Sequence, residues 1–337
     1  MLFMPFVIPY FIAHQGCPHQ CLFCNQQAIT GEKFSVADIH GDITAVIQQW
    51  LGYRKEKGTT HFAFYGGSFT CLPQELQLMM LEAVSPWVKS GDIDLIRLST
   101  RPDCINEGTC ELLKKHGVGI VELGVQSLDD KVLQASRRGH DSRDCQNAVA
   151  FLHESRFQVG VQLMPGLPEE SRLSFMKTVH QAIALKPDFV RIYPVVVVRG
   201  SGLAEKYGSN EYTPLSLGMA TVLAAWARRR FTENDIRVVR MGLQPSESLE
   251  QNVMAGPYHP AFGEMVMARE WFKRTRRLLA VNGEKKIRLT ISSRDLSCFN
   301  GVNRVNRLRL EELGLAKRFE VAVDKNLQRG SMHYVVC

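Results

Sequence analysis

The sequence predicts an α/β fold in which parallel strands alternate with helices and close into a full or partial barrel, with an open doubly wound sheet as the competing architecture. Three observations predict it. From residue 1 to about 240, β-rich runs of five to seven residues recur between amphipathic helical stretches. Polar or Gly/Pro-rich segments follow those runs, where either architecture binds its ligands. The 337 residues, 45% hydrophobic and 22% charged, suffice for one large domain with an appendage or for two ordinary domains, and argue against large-scale disorder.

The candidate strands, in order, are Phe6–Ile12, Thr60–Tyr65, Leu95–Ser99, Val118–Leu123, Gln158–Leu163 and Asp188–Tyr193. Between the first two, Val36, Ile39, Ile43, Val46, Ile47, Trp50 and Leu51 recur at helical spacing behind Ser35 as a candidate N-cap. Leu76, Met79, Met80, Ala83, Val84 and Trp87 repeat the pattern in the next helix and read as core. The segment from Gln244 to Glu264, with Pro245, Gly256, Pro257, Pro260 and Gly263, reads as a loop-rich connector. Beyond it come a helix over Met265–Val281, a strand near Lys286–Ile291, a helix near Val302–Leu313 and a strand near Arg318–Val323. The chain thus divides into a barrel over 1–245, a connector over 246–264 and a small α+β region over 265–337.

Charge is uneven along this plan. Residues 265–337 hold 16 Lys and Arg against 7 Asp and Glu, so this tail carries +9 in a chain whose net charge is +7. Such a tail suits a polyanion, nucleic acid first, or serves as a solvated face. Arg274, Arg276, Arg277, Lys285, Lys286, Arg304, Arg307 and Arg309 are the candidate phosphate contacts. The apolar opening from Met1 to Ala13 carries Pro5 and Pro9 and no basic leader. It is well short of the ~20 apolar residues that span a bilayer, so it reads as a buried strand. The expected location is the cytoplasm, with no membrane partner. Nine scattered cysteines fit reduced thiols or metal ligands better than a disulfide framework.

Only three cysteines cluster, in Cys17-Pro18-His19-Gln20-Cys21-Leu22-Phe23-Cys24, directly after the first strand. Three thiolates on one loop can converge on a soft metal centre. Structural zinc wants a fourth ligand, which His14 or His19 could supply, but a second C-x2-C pair is missing. A 4Fe-4S cluster held by three cysteines keeps one iron open, as a reaction centre requires.

The later strand ends carry their own signals. Tyr65-Gly66-Gly67-Ser68-Phe69-Thr70 follows the second strand, and paired glycines there allow close backbone approach to a ligand. Ser99-Thr100-Arg101-Pro102-Asp103, Gly124-Val125-Gln126-Ser127 and Met164-Pro165-Gly166-Leu167-Pro168 follow the next three. Arg137-Arg138-Gly139-His140 can grip a carboxylate, or can be a basic helix end with a glycine cap. Glu122, Arg191 and Tyr193 face the cavity by strand-end position without an assigned role, and no catalytic residue is singled out.

The C-x3-C-x2-C loop with Phe23 before its last cysteine resembles the signature of radical S-adenosylmethionine (SAM) enzymes. With Tyr65–Thr70, Ser99–Asp103, Leu123–Ser127, Arg138–His140, Arg191–Pro194 and Arg199–Leu203, residues 5–265 resemble the radical domain of the elongator catalytic subunit and its bacterial relatives lacking the acetyltransferase domain. Oxygen-independent coproporphyrinogen oxidase is a more distant cousin. The resemblance implies a partial (β/α)6, TIM-like radical SAM barrel with Cys17, Cys21 and Cys24 as ligands of a 4Fe-4S cluster. It also implies SAM as cofactor, cleaved reductively to a 5′-deoxyadenosyl radical, and an external electron donor. By the same resemblance Gly66, Gly67 and Ser68 would contact the methionine amine and Ser99 and Thr100 would lie near the ribose. Gln126, Arg138 and Gln162 would line the pocket, and Met164, Pro165 and Gly166 would flank the adenine. Ser68 stands where many such enzymes carry an acid, so the amine contact would rest on backbone and hydroxyl groups. About 75 residues follow the barrel, too few for an acetyltransferase, so the elongator reaction does not simply carry over. The leading expectation is modification of RNA, with tRNA first and the basic tail as docking surface. A radical enzyme acting on a small metabolite or porphyrin-like substrate stays open, as does a non-catalytic metal-bearing RNA-binding module.

Overall fold

In a computed structural model that describes residues 5–12, 15–25, 28, 29, 31, 38–54 and 58–337, burial alternates along the first strand, whereas the next two are buried over most of their length. In β1 (Phe6–Phe11), Ile8 and Tyr10 are buried while Val7, Pro9 and Phe11 are half-buried, because successive side chains of a strand point to opposite faces. Helix α1 (Ile39–Gly52) places Ile39, Ile43 and Ile47 against the buried face, and Asp38 caps it by accepting from the Gly41 amide at 3.0 Å. The sequence reading put this helix's start at Ser35 and Val36, which lie outside the described residues. Strand β2 (Thr60–Tyr65) pairs parallel with β1, from Phe6 opposite Thr60 to Phe11 opposite Tyr65.

The alternation then repeats: α2 (Gln74–Ser90), β3 (Leu95–Thr100), α3 (Glu107–Lys115), β4 (Val118–Gln126), α4 (Asp130–Ala135), α5 (Ser142–Glu154), β5 (Gln158–Leu163), α6 (Arg172–Ala184) and β6 (Phe189–Ile192). A two-residue strand β7 (Val197–Val198) leaves the sheet, followed by α7 (Gly202–Gly208), α8 (Leu217–Thr232) and β8 (Arg237–Met241). Among the described residues, seven parallel strands form one sheet in the order β1-β2-β3-β4-β5-β6-β8. The six strands read from the sequence are all present, and β8 is a seventh at the sheet's edge. One face of this sheet supplies Ile8, Phe62, Phe64, Ile96, Leu98, Val121, Leu123, Val159, Val161, Val190 and Ile192 to a core shared with the helices. The other face carries Tyr65, Arg97, Glu122, Gln162 and Arg191, so it is the polar interior of an incomplete barrel.

The Gln244–Glu264 segment is more structured than the loop-rich connector expected from its prolines and glycines. It holds α9 (Glu247–Asn252), capped by Ser246, and β9 (Val253–Ala255), which pairs antiparallel with β7. Pro245, Gly256 and Pro257 lie just outside these elements, so they punctuate short structure without excluding it.

Helix α10 (Phe262–Val281) gives Phe262 and Val266 to the barrel's core and Trp271 to a smaller core with Leu289, Ile291, Cys298 and Phe299. Around that second core stand β10 (Ile287–Ser292), α11 (Leu296–Asn300), α12 (Val305–Glu312), β11 (Phe319–Asp324) and β12 (Met332–Val336). Strand β10 is central, parallel to β11 and antiparallel to β12.

One cysteine expectation is corrected. Cys71 and Cys104 are joined as a disulfide, their Cα atoms 5.3 Å apart. The physical reason is topological, since β2 and β3 are neighbours and the short turns after them, Phe69–Cys71 and Pro102–Cys104, lie side by side. No helix of the described residues is long and apolar enough to cross a membrane.

Candidate active site

The cysteine loop leaves β1 pressed backbone to backbone against the loop after β2. The Ser68 amide donates to the Gln15 carbonyl at 3.0 Å. A Cβ at Gly67 would stand 2.5 Å from the Ile12 carbonyl oxygen and 2.7 Å from that of Gln15. Gly16 sits at φ +73°, where a Cβ would meet the Ser68 carbonyl oxygen at 2.3 Å. Both glycines are therefore required by space, and Gly16 by its left-handed backbone as well.

Two further elements hold the loop. The Leu22 amide donates to the Ser136 carbonyl at the end of α4, and the Leu203 amide at the start of α7 donates to the Leu22 carbonyl at 2.7 Å. Gly139, at φ +75°, lies so close to His19 that a Cβ there would meet the imidazole at 2.2 Å. Within this cradle Cys17 Sγ lies 3.3 Å from Ser68 Oγ, and Cys21 Sγ accepts from Arg138 Nη1 at 3.1 Å. Arg138 also donates to the Gly124 carbonyl at 2.5 Å and lies over the Phe23 ring, so one guanidinium ties the cysteine loop to the end of β4. Its own carbonyl accepts from Arg101, which pairs with Asp103. Burial pushes the Asp103 carboxyl up, but the Arg101 hydrogen bond and charge outweigh it and hold the group below its ordinary value. His140, 3.8 Å from Asp103, is driven down to about 3 by burial and then by Arg138 and Arg101, so it is neutral.

The remaining strand ends converge from the other side. Gln126 stands at φ 69° and its Oε1 accepts from Gln162 at 3.1 Å. Ser99 is half-buried on the inner face of β3, whereas the buried Thr100 hydroxyl is engaged with Thr70 at 2.6 Å. Met164 is buried beside Val195, Val197 and Leu203, and the Pro165 carbonyl accepts from the Val195 amide. Gly166, at φ +96°, donates its amide to Glu170 at 2.6 Å and accepts from the Tyr212 hydroxyl at 2.5 Å. Burial raises the Glu170 carboxyl to about 8 despite the opposing hydrogen bonds from Gly166 and Leu167. Glu170 and Tyr212 were not picked out as site residues from the sequence, and His19 was considered only as a zinc ligand. The acid four residues after Gly166 was the available signal.

Deeper on the inner face, Glu122 accepts from Arg97 Nε at 3.0 Å, from Arg191 Nη2 at 3.2 Å and from the Tyr65 hydroxyl at 3.2 Å. Arg191 Nη1 donates to Tyr193 at 3.0 Å. Arg97 is the member of this cluster that sequence position did not single out.

A model of the Radical SAM superfamily matches residues 11–182, and one of the Radical SAM C-terminal domain matches residues 187–274. The chain belongs to the radical SAM superfamily. An uncharacterized protein of Methanocaldococcus jannaschii is 32% identical over 212 residues, 59% of this chain and 64% of that protein. A tRNA uridine(34) acetyltransferase of the same organism is 34% identical over 134 residues, 39% of this chain and 25% of that enzyme. The solved structure of archaeal Methanocaldococcus infernus Elp3 with an N-terminal deletion shares the fold, at a TM-score of 0.64 and 22% identity over 82% of this chain and 64% of that one. Each match spans less than two thirds of the relative's length.

As a radical SAM enzyme the chain uses a 4Fe-4S cluster and SAM. Among the described residues no three His, Cys, Asp or Glu side chains are gathered into a ready-made metal cage. The donor set nonetheless fits a cluster. Cys17, Cys21 and Cys24 carry thiols not bonded to one another, on one glycine-cradled loop at the C-terminal end of β1. The Arg138 guanidinium sets a positive charge beside the Cys21 sulfur, a setting compatible with a cluster-binding thiolate. Of the two histidines considered as a fourth zinc ligand, His19 packs against Gly139 and His14 lies outside the described residues.

Proposed function

We propose that this radical SAM enzyme cleaves SAM reductively at a cluster held by Cys17, Cys21 and Cys24, and modifies RNA, tRNA first, docked on the basic face of residues 265–337. When bound, cluster and cofactor supply a carbon-centred radical that removes a hydrogen atom from substrate. The chain's own residues orient and enclose. Gly66, Gly67 and Ser68 leave room and polar groups for the methionine amine beside Cys17. Ser99 and Thr100 border the ribose position, where Thr100 acts by fixing Thr70 rather than by direct contact. Gln126, Gln162 and Arg138 offer polar atoms to the pocket, while Met164, Pro165 and the Gly166 loop, braced by Glu170 and Tyr212, make the adenine wall. The barrel of residues 1–245 houses this chemistry, residues 246–264 connect it, and residues 265–337 recruit substrate.

The observation that carries the RNA reading is a carboxylate-poor cationic face. Lys273 of α10 is held below its ordinary range by partial burial and then by Arg269, Arg229 and Arg277, all cations. Arg269 is lowered likewise, by burial and by Arg309 of α12. Arg276 and Arg309 both lie over one ring, that of Phe272. Arg229 is paired with Glu233, but Arg269, Lys273, Arg276, Arg277 and Arg309 have no carboxylate partner among the described residues, and such a group of like charges is relieved by a polyanion, whose phosphates displace counterions. Arg274 is diverted to the Gly330 carbonyl and the Trp271 ring, and Arg307 to Glu311, so these two contribute less than the sequence reading assumed. The tRNA uridine(34) acetyltransferase relative lends support to tRNA as the first substrate to try.

The test is anaerobic reconstitution followed by incubation with reductant, labelled SAM and total RNA, with iron, sulfide, cofactor products and modified nucleosides measured. Cofactor cleavage with a new RNA nucleoside is expected. Cysteine-to-alanine changes at the three thiols that leave cleavage intact, or cleavage stimulated by small metabolites and never by RNA, would refute the reading.

A further inference from the structure

The seven strands of the barrel sheet contain a single acidic residue, Glu122, and four arginines, Arg97, Arg191, Arg237 and Arg240. Arg97 and Arg191 share that one carboxylate on the inner face. Arg240 stands in register with Arg191: the strand's register shifts by one residue at Val239, so Val238 and Met241 both pack against the outer core and Arg240 falls on the inner face with Arg191. Its one hydrogen bond among the described residues runs from Nε to the Gly242 carbonyl, at 3.3 Å. Three guanidiniums therefore face one carboxylate across the inner face of the sheet, where water screens charge poorly. His61, the other ionisable base on this face, is held below its ordinary value by burial and then by Arg97.

The hydroxyls point to the sign and chemistry of what completes the cluster. Tyr65 is raised to about 12 by burial and then by Glu122, so it stays neutral and spends its proton on Glu122. Tyr193 accepts from Arg191, and its own proton has no acceptor among the described residues. A half-buried hydroxyl with a free proton, next to a cationic surplus, suits an oxygen anion.

We infer that the barrel interior holds an oxyanion of the substrate, a carboxylate or a phosphate, bound by Arg240, Arg191 and the Tyr193 hydroxyl. The inference deepens the radical-enzyme reading and rests on the barrel interior being the reaction chamber. It is separate from the outer basic face, which recruits a polyanion by its surface. A neutral substrate would leave the surplus uncompensated.

Equilibrium dialysis tests it on anaerobically reconstituted protein saturated with SAM and without reductant, at constant ionic strength, using labelled inorganic phosphate and labelled succinate. One saturable site per chain is expected for at least one probe, and the probe bound more tightly names the source of the oxyanion. Arg240→Gln should weaken it about tenfold and Tyr193→Phe several-fold, the latter a change that preserves the packed ring. The double variant Arg276→Gln/Arg277→Gln on the outer face should leave it unchanged. No saturable site for either probe would overturn the inference, as would equal binding by both inner-face variants. A probe site that appears only when SAM is left out would also overturn it, by assigning the seat to the cofactor's own carboxylate. Cofactor cleavage by the wild-type protein is scored separately, so failure here and failure of the radical-enzyme reading are distinguishable.

Discussion

Glu122→Gln is the sharpest test of how the barrel interior is held together. The carboxylate is 6% exposed and receives two guanidiniums and a phenol, so the substitution removes the only negative charge among Arg97, Arg191 and Tyr65. Breaking a buried ion pair by removing one partner costs about 3–5 kcal/mol. The amide that replaces the carboxylate keeps one carbonyl acceptor, and the Arg191 side chain is 19% exposed and can be partly hydrated, so the lower end, about 3 kcal/mol, is expected. Urea unfolding followed by circular dichroism should show the midpoint falling by about 1 M with an unchanged slope. Adding Arg97→Met should recover part of the loss, because it removes the cation left without a partner. A Glu122→Gln protein within about 0.5 kcal/mol of wild type, the range of an ordinary surface change, would mean that water already solvates the cluster. The low-dielectric interior argued above would then be wrong.

Gly67→Ala forces a methyl group against two backbone oxygens that cannot swing aside. It should cost about 1–3 kcal/mol and lower iron and sulfide content after reconstitution, and wild-type iron loading at wild-type stability would contradict the cradle. Glu170 has its folded-state value raised to about 8, so its contribution is fully present below about pH 4.5 and is lost as pH rises through about 8. Melting temperatures of the wild type should therefore fall by a few degrees more between pH 5 and 9 than those of Glu170→Gln, and parallel curves would refute the assignment. Neutralising Arg276 and Arg277 together should reduce the slope of log affinity for RNA against log salt by about 1.5, read by filter binding, and an unchanged slope removes both from the phosphate contacts.

Elements with strong internal patterning were legible in the sequence, and those defined by neighbours were not. The six apolar strands and the C-x3-C-x2-C loop announce themselves within ten residues each. Strand β8 did not, because Arg237-Val-Val-Arg-Met241 is short, charged and at the sheet's edge, where one neighbour suffices to form it. Strands β7 and β9 are two and three residues long and exist only through each other. The Cys71–Cys104 bond spans 33 positions and arises from the adjacency of β2 and β3, which neither cysteine's surroundings encode. Glu122 and Arg191 were placed on the cavity by position, but their sharing with Arg97 needed the register of β3 against β4, which a shift between Ile96 and Arg97 alters.

The inner arginines also bear on what kind of help this chemistry needs. Hydrogen-atom abstraction moves no net charge between donor and acceptor, so fixed cations gain little from a developing charge of the sort that oxyanion holes stabilise. Their value lies in orientation, because a substrate gripped at an anionic group beside the reacting carbon loses its rotational freedom before the step. Arg138 differs, since its donors go to Cys21 and to the Gly124 carbonyl and its plane lies over the Phe23 ring, and so it serves the cysteine loop. Cations in this protein therefore fall into three settings: Arg138 beside the cysteine loop, Arg191 and Arg240 on the barrel's inner face, and the cluster of Lys273, Arg269, Arg276, Arg277 and Arg309 on the outer face of α10 and α12.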